Sequence, residues 1–89
     1  MQIIYYTDSE ATKCKLIDKM IYELEENGII PRLQVNDLKD LGMFKFVEQK
    51  ILNVPTLIIK SPRQEYQLIG KDLNIQTIKD TIQKVKNDK

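Results

Sequence analysis

The chain has 89 residues, 42% of them hydrophobic, 30% charged and 7% aromatic, with a formal net charge of +1. That length suits one domain, residues 1–89, with a modest core and no room for a second, and the near-neutral charge argues against nucleic-acid or membrane-surface binding driven by bulk electrostatics. A single cysteine, Cys14, and no histidine exclude an internal disulfide, histidine-based metal sites, Ser-His-Asp triads and Cys-His nucleophile pairs.

The same cysteine usage points to a reducing, cytoplasmic setting. No apolar run approaches the roughly 20 residues that span a bilayer. The start, Met1 to Tyr6, lacks a basic stretch followed by an apolar one, so no signal peptide is expected. A monomer is expected, with no metal.

Gln2 to Tyr6 is a continuous β-branched and aromatic run, which predicts a strand buried on both faces. Thr7 with Glu10 has capping-box spacing, and Ser9 is an alternative cap. From Ala11 to Asn27 the residues Cys14, Ile17, Ile21 and Leu24 recur at helical spacing, widened by Met20, and Asn27-Gly28 supplies a stop. Ile29 to Val35, with Pro31 inside it, predicts a second strand at a sheet edge.

Asn36-Asp37 offers a cap for a weaker helix, Leu38 to Gln49, with Gly42 inside it and an apolar surface of Leu41, Phe44, Phe46 and Val47. Val54 to Ile59 predicts a third strand, opened by Val54-Pro55-Thr56. Proline cannot donate to a ladder, so it belongs at a strand's first residue or on an edge, and X–Pro bonds are where a cis peptide is cheap. Ser61 to Gln64 has turn chemistry, Glu65 to Ile69 predicts a hairpin-linked fourth strand, and Gly70 breaks it. Asn74 then caps a last helix with the stripe Ile75, Ile78, Ile82 and Val85, fading into a charged tail from Lys84 to Lys89. The predicted order is β-α-β-α-β-β-α, an α/β domain with a four-stranded mixed sheet flanked by three helices.

This order, a Val-Pro-Thr opening the third strand, and a cysteine early in the first helix resemble the thioredoxin superfamily in its minimal, glutaredoxin-like form. The resemblance runs over essentially the whole chain. It implies a cis proline at Pro55 beside a C-x-x-C pair at the start of the first helix. Tyr6 to Lys15 aligns with that segment without a gap and puts Ala11 at the first cysteine, with Cys14 at the second. In the family the first cysteine is the nucleophile, its thiolate favoured by the helix N-terminus, and the second resolves the mixed disulfide. Ala11 has no nucleophilic atom, so dithiol exchange by this chain alone is excluded. The Gly-Gly-x-Asp pattern of glutathione-using members is met by Gly70 and Asp72 but has Lys71 in place of the second glycine. No cofactor is implied, and glutathione is the one small molecule the resemblance raises.

Three functional readings stand beside one another. The chain is a thiol-disulfide redoxin, passing electrons to a disulfide-containing protein, whose nucleophile has been replaced by Ala11. Or it is a redox-inactive module holding an extended peptide of a protein partner in a groove between the Thr7–Lys13 loop, Pro55 and Gly70, with Val54 and Thr56 supplying backbone contacts. Or Cys14 acts as a single reactive thiol, against its plainer role as a small buried hydrophobe.

Overall fold

The computed structural model describes residues 1–87. The last part of the predicted charged tail, residues 88–89, lies outside the described residues. The elements run β1 (Gln2–Thr7), α1 (Thr12–Glu26), β2 (Leu33–Asp37), α2 (Leu38–Leu41), α3 (Met43–Glu48), β3 (Thr56–Lys60), β4 (Glu65–Ile69) and α4 (Ile75–Asn87), with one turn of 3-10 helix at Gly70–Asp72. The sheet order is β2-β1-β3-β4, parallel between β1 and β2 and antiparallel elsewhere. The predicted mixed sheet is therefore present, with β1 and β3 at its centre.

Strand alternation sorts the core into two layers. Ile3, Tyr5, Leu57, Ile59 and Leu68 face α1 and α4, where Ile21, Leu24, Ile78, Ile82 and Val85 close the main core. Ile4, Tyr6 and Ile58 face the other way, onto Phe46 and Ile51. Tyr6 and Phe46 meet edge to face with ring centroids 5.4 Å apart, a favoured aromatic geometry. Among the described residues no helix is long and apolar enough to cross a membrane.

Several expectations need correction. The predicted helix over residues 38–49 is two short helices, which makes four α-helices among the described residues where three were expected. Gly42 separates them at φ 84° and ψ 159°, a conformation that a side chain disfavours. Of the apolar surface expected there only Phe46 is buried; Phe44 is 79% exposed, and Leu41 and Val47 also face solvent. Ile75 likewise stands out of the α4 stripe and is exposed. The second strand begins four residues late, because Ile29 and Ile30 are drawn into the end of α1, both donating to the Leu24 carbonyl. The third strand starts at Thr56, so Val54 and Pro55 form its entry turn.

The two well-formed helix ends invite a direct comparison. At the end of α1 the Gly28 amide donates to the Glu25 carbonyl and the Ile29 amide to Leu24, with Gly28 at φ 76°. At the end of α3 the Lys50 amide donates to Val47 and the Ile51 amide to Phe46, with Lys50 at φ 63°. Both are Schellman closures, and the left-handed position prefers glycine. Lys50→Gly is expected to raise stability by about 0.5–1 kcal/mol in urea unfolding, while Gly28→Ala lowers it by a similar amount.

Candidate functional site

The register brings the expected site to one end of the sheet. Tyr6 pairs with Thr56 and Thr56 with Ile69, so the loop after β1, the turn before β3 and Gly70 after β4 all leave from the same edge. Pro55 stands at the mouth of β3, half-buried, and the Val54–Pro55 peptide bond is cis. Thr56 is buried, and its Oγ1 donates to the Asn53 carbonyl at 2.6 Å, tying the turn to the strand. Gly70 has φ 55° and its carbonyl accepts from the Leu73 amide, turning the chain into α4.

The loop carrying Ala11 is built by short hydrogen bonds. The Glu10 amide donates to Asp8 Oδ1 at 3.1 Å, and the Ala11 amide to the Asp8 carbonyl at 2.9 Å. Asp37, the last residue of β2, reaches across. Its Oδ1 accepts from the amides of Ser9 and Lys39, both at 3.1 Å, which caps α2 and pins the loop to β2. Burial pushes the Asp37 carboxyl up, but the Ser9 and Lys39 hydrogen bonds and the Lys39 charge outweigh it, so its pKa lies below the ordinary value. The Asp37 contribution to stability is accordingly present above the carboxylate's ordinary value and lost as pH falls through its lowered one. Asp37→Ala is expected to cost about 1 kcal/mol at pH 7 and much less near pH 2, measured by urea unfolding at both pH values.

Ala11 is the N-cap of α1 and makes no side-chain cap bond. The expected capping by Thr7 or Ser9 does not occur. Thr7 is the final residue of β1, and its hydroxyl turns inward instead. Lys13 and Lys15 are exposed on the helix surface, flanking Cys14. Cys14 itself is 0% exposed, because it lies on the inner face of α1 with Ile21 and Leu24. The sulfur therefore sits under the helix start, without solvent contact.

One turn after Cys14, the same inner face carries Asp18, which sequence periodicity did not single out. Tyr5 Oη and Thr7 Oγ1 each donate to Asp18 Oδ1 at 2.6 Å, and all three residues are buried. Burial chiefly, with the hydrogen bond to Asp18 and that residue's charge, pushes the Tyr5 phenol well above its ordinary value of 10.0. The phenol is thus held as a donor. The sequence did contain a signal: Tyr5 and Thr7 alternate onto one face of β1, and Cys14, Asp18 and Ile21 share one face of α1.

Beside Pro55, on the side away from α1, lie two small clefts of about 90 Å³ each. One is lined by Leu38, Met43, Phe46, Ile51, Leu52 and Val54, the other by Lys50, Leu52, Asn53, Thr56, Gln67 and Ile69. Met43, Phe44, Val47 and Leu52 leave an apolar rim exposed next to them, Leu52 at 82%. Of the expected groove residues, Val54 and Thr56 border these clefts, while Thr7 and Lys13 do not line them.

No family model matches the chain, and no curated protein sequence does. Solved structures do. Thioredoxin 1 of Thermosipho africanus superposes with a TM-score of 0.71 at 22% identity, over 94% of this chain and 92% of that one. Thioredoxin O2 of Arabidopsis thaliana, in the oxidized state, gives 0.70 at 20% identity, over 94% of this chain and 73% of that one. Thioredoxin O1 of the same plant, also oxidized, gives 0.68 at 17% identity, over 94% and 76%. The chain has the thioredoxin fold. At these identities the likeness is one of fold alone. The segment from Thr7 to Lys13, which contains Ala11, and the turn at Pro55 leave the same end of the sheet.

Proposed function

We propose that this chain is a glutaredoxin-like member of the redoxin lineage that works in the cytoplasm as a binding module, without catalysing dithiol exchange itself. It would hold an extended segment of a protein partner beside Pro55, through backbone contacts at Val54 and Thr56 and between the Thr7–Lys13 loop and Gly70. The observation that carries this reading is the burial of Cys14 at 0% exposure beneath a helix whose cap position is Ala11. A thiol exchanges only as an accessible thiolate, and a buried sulfur behaves as a small hydrophobe. Supporting the peptide-holding turn, the Thr56 hydroxyl donates to the Asn53 carbonyl at 2.6 Å. Glutathione has Gly70 and Asp72 to meet it but also Lys71, so a protein segment is the better-supported ligand.

The test is thiol labelling of the folded protein with an aromatic disulfide, followed by an insulin-reduction assay. Cys14 is expected to react at least about a hundredfold more slowly in the native protein than in urea, and insulin reduction should stay at background. Rapid native labelling, with an apparent pKa below the roughly 8.5 of a free cysteine, would replace this reading with a single-thiol redox role. Resonance shifts at Val54, Thr56 and Gly70 on adding an extended disulfide-free peptide would support the groove, and shifts confined to other faces would count against it.

A further inference from the structure

We propose that the open edge of β2 pairs antiparallel with the same edge of a second copy of this chain, about a two-fold axis at Val35. β2 is an edge strand, bonded on one side to β1 only. The Leu33 amide donates to Glu25 Oε2 at 2.7 Å rather than to β1, which marks Leu33 as facing outward. Alternate residues of a strand present their backbone groups to the same side. The amide and carbonyl of Val35 therefore also face outward, at the centre of the five-residue strand.

An antiparallel pair centred on one residue sets that residue opposite its own copy, where the two exchange both backbone bonds. With Val35 on the axis, Gln34 lies opposite Asn36 of the second copy, and Leu33 opposite Asp37. Amide meets amide, and no like charges face each other. Arg32, just before the strand, falls opposite Leu38 of the second copy and on the sheet face away from Asp37, so backbone bonds and apolar contact, not charge pairing, hold the two edges together. Sheet edges that avoid self-pairing carry lysine, a central charge or a bulge; the one charged residue of β2, Asp37, lies at its end and not at its centre.

Apolar surface supports the same face. Val35 is 42% exposed. Tyr22, 41% exposed, stacks edge to face with Tyr5 at 6.3 Å, and Tyr5 is Val35's neighbour across the ladder. Symmetric pairing would bring Val35 and Tyr22 of both copies together. The β4 edge is a poorer candidate, since its central residue is Gln67 and it begins with Glu65. Glu25 already occupies the Leu33 amide and Pro31 precedes the strand, so the ladder is confined to the middle of β2. So short a contact buries well under the roughly 800 Å² per partner of a standard interface. The dimer is weak, with a dissociation constant on the order of 100 µM, which departs from the monomer that the sequence suggested.

Sedimentation equilibrium from about 10 µM to about 2 mM tests this with the wild-type chain, Val35→Lys and Phe44→Glu, each checked for fold by circular dichroism. The wild-type mass should rise above 10.5 kDa with concentration. Val35→Lys, which sets like charges across the axis, should raise the dissociation constant at least about tenfold. Phe44→Glu, on the exposed apolar rim of α3, should leave it unchanged. A chain that stays monomeric throughout overturns the proposal. So does association that survives Val35→Lys, or that is lost with Phe44→Glu.

Discussion

Ala11→Cys is expected to turn this chain into a working dithiol protein. Position 11 is the cap of a fifteen-residue helix, and the Cys14 amide donates to its carbonyl at 3.0 Å, so residues 11 and 14 lie one helical turn apart. That spacing falls inside the range of Cα separations a disulfide accepts. A thiol at position 11 would sit at the positive end of the α1 dipole, which lowers its pKa and raises its thiolate fraction. Ala11 is half-exposed and Cys14 is buried below it, the division of labour that attack and resolution require. Insulin reduction by Ala11→Cys should exceed the wild-type background by about two orders of magnitude, and Ala11→Cys with Cys14→Ser should trap mixed disulfides. If Ala11→Cys folds but forms no internal disulfide under mild oxidation, the alignment of residues 11 and 14 with a redox pair is wrong.

The largest stability effect is expected at Asp18. Removing the carboxylate leaves the Tyr5 and Thr7 hydroxyls buried without an acceptor, as both donate to Asp18 Oδ1. Each orphaned buried group costs about 1–3 kcal/mol, more when the lost partner is charged. Asp18→Leu should therefore destabilise by about 3–5 kcal/mol, a fall of roughly 15–30 °C in Tm for a chain of this size. Asp18→Asn retains an acceptor and should cost about half as much. The triple change Tyr5→Phe, Thr7→Val and Asp18→Leu removes donors and acceptor together, and should recover most of the loss. Thermal unfolding of the single and triple variants decides the matter: a triple variant no better than Asp18→Leu would mean that packing around Asp18, and not hydrogen-bond satisfaction, sets the cost.

Sequence pattern carried the architecture well and the site only in part. β1 and β4 were legible because each is a compact run bounded by polar or turn residues. α4 was legible because Asn74 caps it, its Oδ1 accepting from the Thr77 amide at 2.9 Å, and Ile78, Ile82 and Val85 share one buried face. The stretch from Leu38 to Gln49 misled because apolar spacing says which residues could be buried and not whether anything covers them. Phe46 finds Tyr6, while Phe44 finds solvent. Thr7 misled for a related reason. Its spacing to Glu10 suits a cap, but a threonine ending a buried strand had a stronger acceptor in Asp18. That acceptor lies on another element eleven residues on, and the shared faces of Tyr5 with Thr7 and of Cys14 with Asp18 point to it only once β1 and α1 are known to pack together. That Ala11 caps α1 one turn before a buried Cys14 follows from the helical spacing of Cys14, Ile17 and Ile21.

The two faces of the sheet differ in how firmly they are closed. One is sealed by two long helices, α1 and α4, and a twelve-residue core, the other by two short helices of four and six residues resting on five buried residues. Local opening follows the thinner burial, so α2, α3 and the segment to Val54 form a soft wall against a stiff one. The turn at Pro55 stands on the soft side and Ala11 on the stiff side. On the proposed reading, a bound segment lies between a wall that yields, residues 38–54, and a fixed one, α1 with its buried Asp18.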